Sequence, residues 1–199
     1  ASCAKGGQKV PNGFYNIVVT DIVDGRPGET MRVSTDHKFG GPRLYFSDED
    51  VHLSPAWSPD GKELLFISNR GIPLGSGGVW RAPVEADVMN SGRARVIHRE
   101  ETLYRTRPQW SPDGKRIATA GQITMFDAET GKEITTFRDT WAHTLAFSPD
   151  GKLIAWRTNY PVGEAATVKY KELLKQHLVE PMQMDIWVMN ADGTQKRQV

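Results

Sequence analysis

Trp57-Ser58-Pro59-Asp60-Gly61-Lys62 decides the fold, because it comes back as Trp110-Ser111-Pro112-Asp113-Gly114-Lys115 and as Phe147-Ser148-Pro149-Asp150-Gly151-Lys152. An aromatic residue ends a strand. Pro presets φ for a turn, Asp closes it through its side chain, and Gly takes a conformation other residues resist. Lys then opens the next strand. An apolar run follows each copy: Leu64-Leu65-Phe66-Ile67, Ile117-Ala118-Thr119-Ala120 and Leu153-Ile154-Ala155-Trp156. The turn and both flanks therefore predict a β-hairpin used as a repeated building block.

Working outward, each hairpin is followed by a third strand: Val79-Trp80-Arg81-Ala82, Ile123-Thr124-Met125-Phe126 and Ile186-Trp187-Val188-Met189. A polar turn and a short fourth strand come next, at Arg95-Val96-Ile97, Glu133-Ile134-Thr135-Thr136-Phe137 and Lys196-Arg197-Gln198-Val199. The unit is four antiparallel strands, and copies begin near His52, Arg105 and Ala142. A single such sheet cannot bury both faces, so the sheets must stack on one another, as blades of about 40–45 residues do in a β-propeller. The fold class expected is all-β: a partial propeller of about three and a half four-stranded blades with one helical insertion. Trp57, Trp110 and Phe147 share a repeat position and, with Trp80 and Trp187, are expected to fill the space between blades.

The partition follows. Residues 1–13 are expected to be a flexible N-terminal segment, with propeller blades over 14–199. These divide into a half blade (14–36) and blades at 52–98, 105–138 and 142–199. The half blade carries Ile17-Val18-Val19-Thr20, a turn at Asp24-Gly25 and Met31-Arg32-Val33, the back half of a unit without its front. The Gly-rich stretch 71–78 lacks the Lys-Ser/Thr of a phosphate loop and reads as a long hairpin connection. The last blade holds an insertion at 160–182, helical over 165–178. Its apolar side is expected to consist of Ala166, Val168, Leu173, Leu174 and Leu178, laid on the chain's own strands, with Pro181 closing the helix.

Composition narrows the function classes. The 199 residues carry a net charge of +1 and no basic run, so neither nucleic acid nor an anionic membrane surface is an expected partner. No apolar run is long enough to span a bilayer. Cys3 is the only cysteine, which excludes an intrachain disulfide and a cysteine zinc site. Ala1-Ser2-Cys3 echoes a lipoprotein cleavage site, although a plain terminal cysteine is the simpler reading.

The hairpin motif, together with Asp185-Ile186-Trp187-Val188-Met189-Asn190-Ala191-Asp192-Gly193, resembles the TolB-like β-propeller repeat over residues 14–199. The stretch Leu53 to Gly121 resembles propellers that accompany bacterial amidohydrolase domains, and similar blades cap prolyl oligopeptidase-type peptidases. The resemblance implies a ring of six to eight blades and a periplasmic or secreted bacterial protein. This chain carries fewer units than such a ring. It is expected to be a piece of a longer protein or to self-associate, since an open arc leaves apolar end faces.

No catalytic constellation is legible: there is no Gly-x-Ser-x-Gly, His-Glu-x-x-His or His-x-His. His37, His52, His98, His143 and His177 are scattered without metal-ligand spacing. Asp60, Asp113 and Asp150 each have a local task in their turn rather than a shared calcium ion, and Asp48-Glu49-Asp50 reads as a solvated loop. No metal and no cofactor is expected. What remains is the channel of the ring, lined by first strands. Alignment on the aromatic position places His52, Arg105 and Ala142 together, and Ser54, Arg107 and Thr144 two residues later on the same side. His52, Ser54, Arg105, Arg107 and Thr144 are thus the candidate binding residues, with the two arginines suited to a carboxylate. Two functions follow. One is a non-catalytic module that binds protein or peptide. The other is the accessory, substrate-gating propeller of a larger amidohydrolase or prolyl oligopeptidase-type hydrolase whose catalytic domain lies elsewhere.

Overall fold

The structure, a computed structural model, describes residues 15–35, 50–71, 77–99, 107–159, 161, 163–176 and 184–199. Four antiparallel sheets follow one another along the chain. The first has two strands, β1 (Val18–Val23) and β2 (Arg26–Arg32). The second has four: β3 (His52–Trp57), β4 (Glu63–Ser68), β5 (Gly78–Pro83) and β6 (Arg95–His98). The third comprises β7 (Gln109–Trp110), β8 (Arg116–Thr119), β9 (Gly121–Asp127) and β10 (Glu133–Ala142). The fourth comprises β11 (Thr144–Phe147), β12 (Leu153–Thr158), β13 (Asp185–Asn190) and β14 (Arg197–Gln198), with helix α1 (Glu164–Lys175) between β12 and β13. In every sheet, strands that are neighbours in sequence are neighbours in space.

The repeated turn is built the same way three times. Ser58 Oγ donates to Asp60 Oδ1 at 2.7 Å, the Lys62 amide donates to the same oxygen at 3.1 Å, and the Glu63 amide donates to Ser58 Oγ at 2.9 Å. The Ser111–Asp113–Lys115–Arg116 and Ser148–Asp150–Lys152–Leu153 turns reproduce each bond. Gly61, Gly114 and Gly151 sit at φ of 72°, 69° and 70°, which a side chain disfavours. The turns also touch. A Cβ on Gly114 would meet Pro59 Cδ at 4.0 Å, and one on Gly151 would meet Pro112 Cδ at 3.5 Å. Each proline therefore lies against the glycine of the next copy.

Stacking gives the sheets two buried faces. Along β4, Leu64 and Phe66 join a core with Ile17 and Val33 of the first sheet, while Leu65 and Ile67 join one with Trp110 and Ile117 of the third. Along the third sheet, Ile117 faces back, whereas Ala118, Ile123 and Met125 face forward onto Ile154, Trp156 and Met189. Alternate residues of one strand thus serve two different interfaces, which is why the second strands read as continuous apolar runs. Three cores lie between four sheets stacked in order, and the molecule is a partial β-propeller.

Three expectations need correction. Trp57 does not fill an interface: it is 52% exposed, against 8% for Trp110. The first sheet supplies only two strands, and nothing among the described residues stands where a first and second strand would cover the indole. Helix α1 also seats only part of the expected apolar side: of that side's described side chains, Leu173 alone is half-buried. Val168 is 55% exposed and Ala166 is exposed, while Thr167, Tyr170 and Leu173 are half-buried, so a narrow stripe spaced three residues apart faces the protein. Its Lys175 end precedes Leu178 and Pro181, both of which lie outside the described residues. Finally, Asp50 is not solvated: it is fully buried, with Arg70 Nε 3.4 Å from its carboxylate.

Candidate functional site

Antiparallel order puts the three Ser-Pro-Asp-Gly turns at one end of the stacked sheets. The second-to-third strand connections and the links between sheets lie at the other end. The candidate residues sit at this second end. His52 and Thr144 begin β3 and β11, Ser54 follows within β3, and Arg107 precedes β7. Arg105 lies outside the described residues.

Their settings differ. His52 is 2% exposed, its ring edge-on to Phe66 at 6.1 Å, and its backbone amide donates to Tyr15 O at 3.0 Å. It ties the second sheet to the chain entering the first. Ser54 is half-buried at φ 54°, inside a register shift between Leu53 and Ala56. That bulge interrupts the two-residue alternation from which a shared side with His52 was argued. Arg107 is exposed at φ 66°. Ser54 and Arg107 stand at the same distance before their tryptophans, so the left-handed kink is itself a repeated feature, one that neither residue type signals. Thr144 is half-buried and pairs across to Arg157.

Arg107 makes no ion pair or hydrogen bond among the described residues. Arg81, which sequence reading passed over, behaves in the opposite way. Its Nε donates to Glu63 Oε1 at 2.9 Å, its Nη1 donates to Ala128 O at 2.7 Å, and its guanidinium lies 5.1 Å from the Trp110 ring centroid. Burial works to lower its pKa, yet the hydrogen bond and charge of Glu63 outweigh that and raise it. Arg81 clamps the second sheet to the third. Its place opposite Leu65 on β5, next to a tryptophan-bearing repeat, was the one available signal.

A cavity of about 350 Å³ opens at the same end, against helix α1. Trp156, Trp187 and Thr158 form part of its wall, with Thr167 from the helix and Asp139 and Lys196 beside them. The two indoles stack at 6.2 Å, Trp156 Nε1 donates to Thr140 O at 3.0 Å, and Lys196 Nζ donates to Arg138 O at 2.8 Å. These residues come from five separate stretches, and no local motif joins them.

Each turn aspartate uses its Oδ1 within its own turn. The carboxyls of Asp60, Asp113 and Asp150 are held below the ordinary value of 3.8, first by the hydroxyls of Ser58, Ser111 and Ser148, then by the backbone N–H of the following lysines. Among the described residues, no three His, Cys, Asp or Glu side chains come close enough to hold a metal ion. No described helix is long and apolar enough to cross a membrane.

Comparison with solved structures agrees with the fold. TolB from Acinetobacter baumannii is similar with a TM-score of 0.52 at 17% identity, over 77% of this chain and 33% of that one. A putative TolB from Agrobacterium tumefaciens matches with a TM-score of 0.50 at 17% identity, over 91% of this chain and 59% of the other. A structure of a nidogen/laminin complex matches with a TM-score of 0.55 at 13% identity, over 92% and 57%. The chain therefore spans between a third and three-fifths of the length of these structures. No protein-family model matches the sequence, and no curated protein resembles it significantly.

Proposed function

We propose that this chain is a non-catalytic propeller domain that binds protein or peptide, working in a bacterial envelope or secreted protein. The observation that carries the reading is Arg107: an exposed guanidinium, in a left-handed backbone position, without an ion-pair partner among the described residues. A planar fork of this kind suits a carboxylate. The end of the sheets that holds Arg107, Ser54 and Thr144 accepts an acidic peptide end or an anionic loop of the partner. The adjacent cavity has room for one of that partner's side chains.

The test uses peptides with acidic C-termini and their amidated counterparts, titrated calorimetrically. Free acids are expected to bind more tightly than amides, with affinity falling as salt rises. Arg107→Ala is expected to weaken binding by about 10-fold, the scale of one lost charge-assisted contact. Equal affinity for acid and amide, or no loss on substitution, removes the reading.

The accessory propeller of a hydrolase is the second reading, favoured by the resemblance of residues 53–121 to enzyme-associated blades. The intact mass of the native protein separates the two. A mass near 22.2 kDa leaves the binding module alone, and a mass several times larger directs the search for chemistry to the remainder.

A further inference from the structure

Five Asp-Gly pairs lie within the described residues: Asp24-Gly25, Asp60-Gly61, Asp113-Gly114, Asp150-Gly151 and Asp192-Gly193. An aspartyl side chain before glycine can close on the main chain, because the next amide nitrogen reaches its Cγ and no Cβ shields that nitrogen. Four of the pairs are held against this reaction. Asp60, Asp113 and Asp150 each use Oδ1 to accept from a serine hydroxyl and a lysine amide. Asp192 Oδ1 accepts from the Thr194 amide at 2.9 Å and from Thr194 Oγ1 at 2.7 Å. The attacking nitrogens are held as well. Gly61, Gly114, Gly151 and Gly193 each donate to the carbonyl three residues earlier, at 2.8–2.9 Å. Asp24-Gly25 has none of these restraints. Both residues are exposed, at φ of 50° and 73°, in the two-residue loop between β1 and β2. Among the described residues, the Asp24 carboxylate makes no hydrogen bond or ion pair, and the Gly25 amide donates to no carbonyl.

We propose that Asp24 is a modification site, at which the folded chain forms isoaspartate in preference to its other four Asp-Gly pairs. The Gly25 nitrogen attacks Asp24 Cγ and the N–Cγ bond forms. The amide proton and the carboxyl OH leave together as water. A second water then opens the five-membered imide. Breaking the N–Cγ bond restores aspartate, and breaking the bond from nitrogen to the Asp24 main-chain carbonyl gives isoaspartate. No other reactant is needed. The OH leaves only from a protonated carboxyl. Serine or threonine hydroxyls, and then backbone N–H groups, hold the other four carboxyls below 3.8 and so keep them in the inert ionised form. The product carries an extra main-chain methylene inside a two-residue loop, so the adjoining Val23–Arg26 pair loses its register. This site does not depend on Arg107 or on what the propeller binds.

The full chain is incubated at mildly acidic pH, folded and in urea. Isoaspartate is read by enzymatic methyl transfer to its carboxylate and located by fragmentation in the mass spectrometer. Asn12-Gly13, outside the described residues, is thereby counted apart. In the folded chain Asp24 is expected to convert about 10-fold faster or more than any of the other four, because their turns must first open. In urea that lead is expected to vanish, since all five share the Asp-Gly chemistry. Ser58→Ala removes one bond from Asp60 and is expected to raise conversion there about 5-fold, with Asp113 as the internal reference. The proposal is overturned if another of the five pairs matches or leads Asp24 in the folded chain, if Asp24 keeps its lead in urea, or if Ser58→Ala leaves Asp60 unchanged.

Discussion

The second and third sheets begin with the same six-residue turn, and the two tryptophans at its head have opposite fates. Trp110 is 8% exposed, in a core with Leu65, Ile67 and Val79 and under the guanidinium of Arg81. Trp57 is 52% exposed, and among the described residues the sheet before it contributes only β1 and β2. The same contrast holds at the turn glycines, with Pro59 near Gly114 and, among the described residues, nothing within 4 Å of a Cβ on Gly61. The difference teaches that the hexapeptide specifies its own turn but not its own burial. Burial of the aromatic residue belongs to the preceding unit.

The largest effect that tests this contrast is truncation of the two indoles. Trp110→Ala leaves a cavity between sheets and removes the surface on which Arg81 rests. The expected cost is about 3–5 kcal/mol, which for a chain of this size lowers the thermal midpoint by roughly 10 °C. Trp57→Ala is expected to cost about 1 kcal/mol or less, in the range of surface substitutions. Urea melts of both variants decide the matter. Equal losses at the two positions break the comparison, because they require Trp57 to be covered in solution.

How far the sequence carried this contrast depends on distance along the chain. Hairpins, third strands and fourth strands were legible because Pro-Asp-Gly chemistry and apolar alternation act within a few residues. The three-bond Ser–Asp–amide lattice is the physical content of that motif. The incomplete front of the first sheet was legible too, but the exposure of Trp57 was not, since the residues that bury a tryptophan at this position lie some forty positions upstream. The candidate site was less legible. Alternation placed His52 and Ser54 on one side, and a bulge between Leu53 and Ala56 undid that. Asp139, Trp156, Trp187 and Lys196 meet at one cavity from separate stretches, so no pattern in the sequence marks them as a set. Helix α1 was placed within three residues of its ends, but its inward stripe at Thr167, Tyr170 and Leu173 mixes polar and apolar residues and gives no clear periodicity.

A second, smaller effect sharpens the comparison at the glycines. An alanine at Gly131 puts its Cβ 2.5 Å from Ile97 O on the preceding sheet, and φ is 70°. Gly61→Ala meets the same kind of backbone penalty at φ 72°, but in open space. Both variants carry about 1–2 kcal/mol of left-handed strain. Gly131→Ala adds about 1–3 kcal/mol of steric overlap. The difference between their urea midpoints therefore isolates contact between neighbouring sheets from strain within a turn. If the two variants match, Ile97 yields without cost and the sheets are less tightly registered than the geometry requires.

The smallest effect is the one expected to be the same in both regions. The carboxyls of Asp60 and Asp113 are each held below 3.8, first by the serine hydroxyl two residues earlier and then by a backbone N–H. A carboxyl depressed in the folded state binds its proton less readily than in the unfolded chain. Its stabilising contribution is therefore complete above the unfolded value of about 3.9 and is lost as pH falls through the lower folded value. Thermal melts between pH 5 and pH 2.5 should show a stability slope that flattens slightly in Asp60→Asn and by a similar amount in Asp113→Asn, because the bonds involved are local. Trp57 and Trp110 differ through their neighbours, whereas these two aspartates share one set of internal bonds. A flattening confined to Asp113 would mean that the preceding sheet reaches into the turn itself, and that even the local chemistry of the repeat depends on the unit before it.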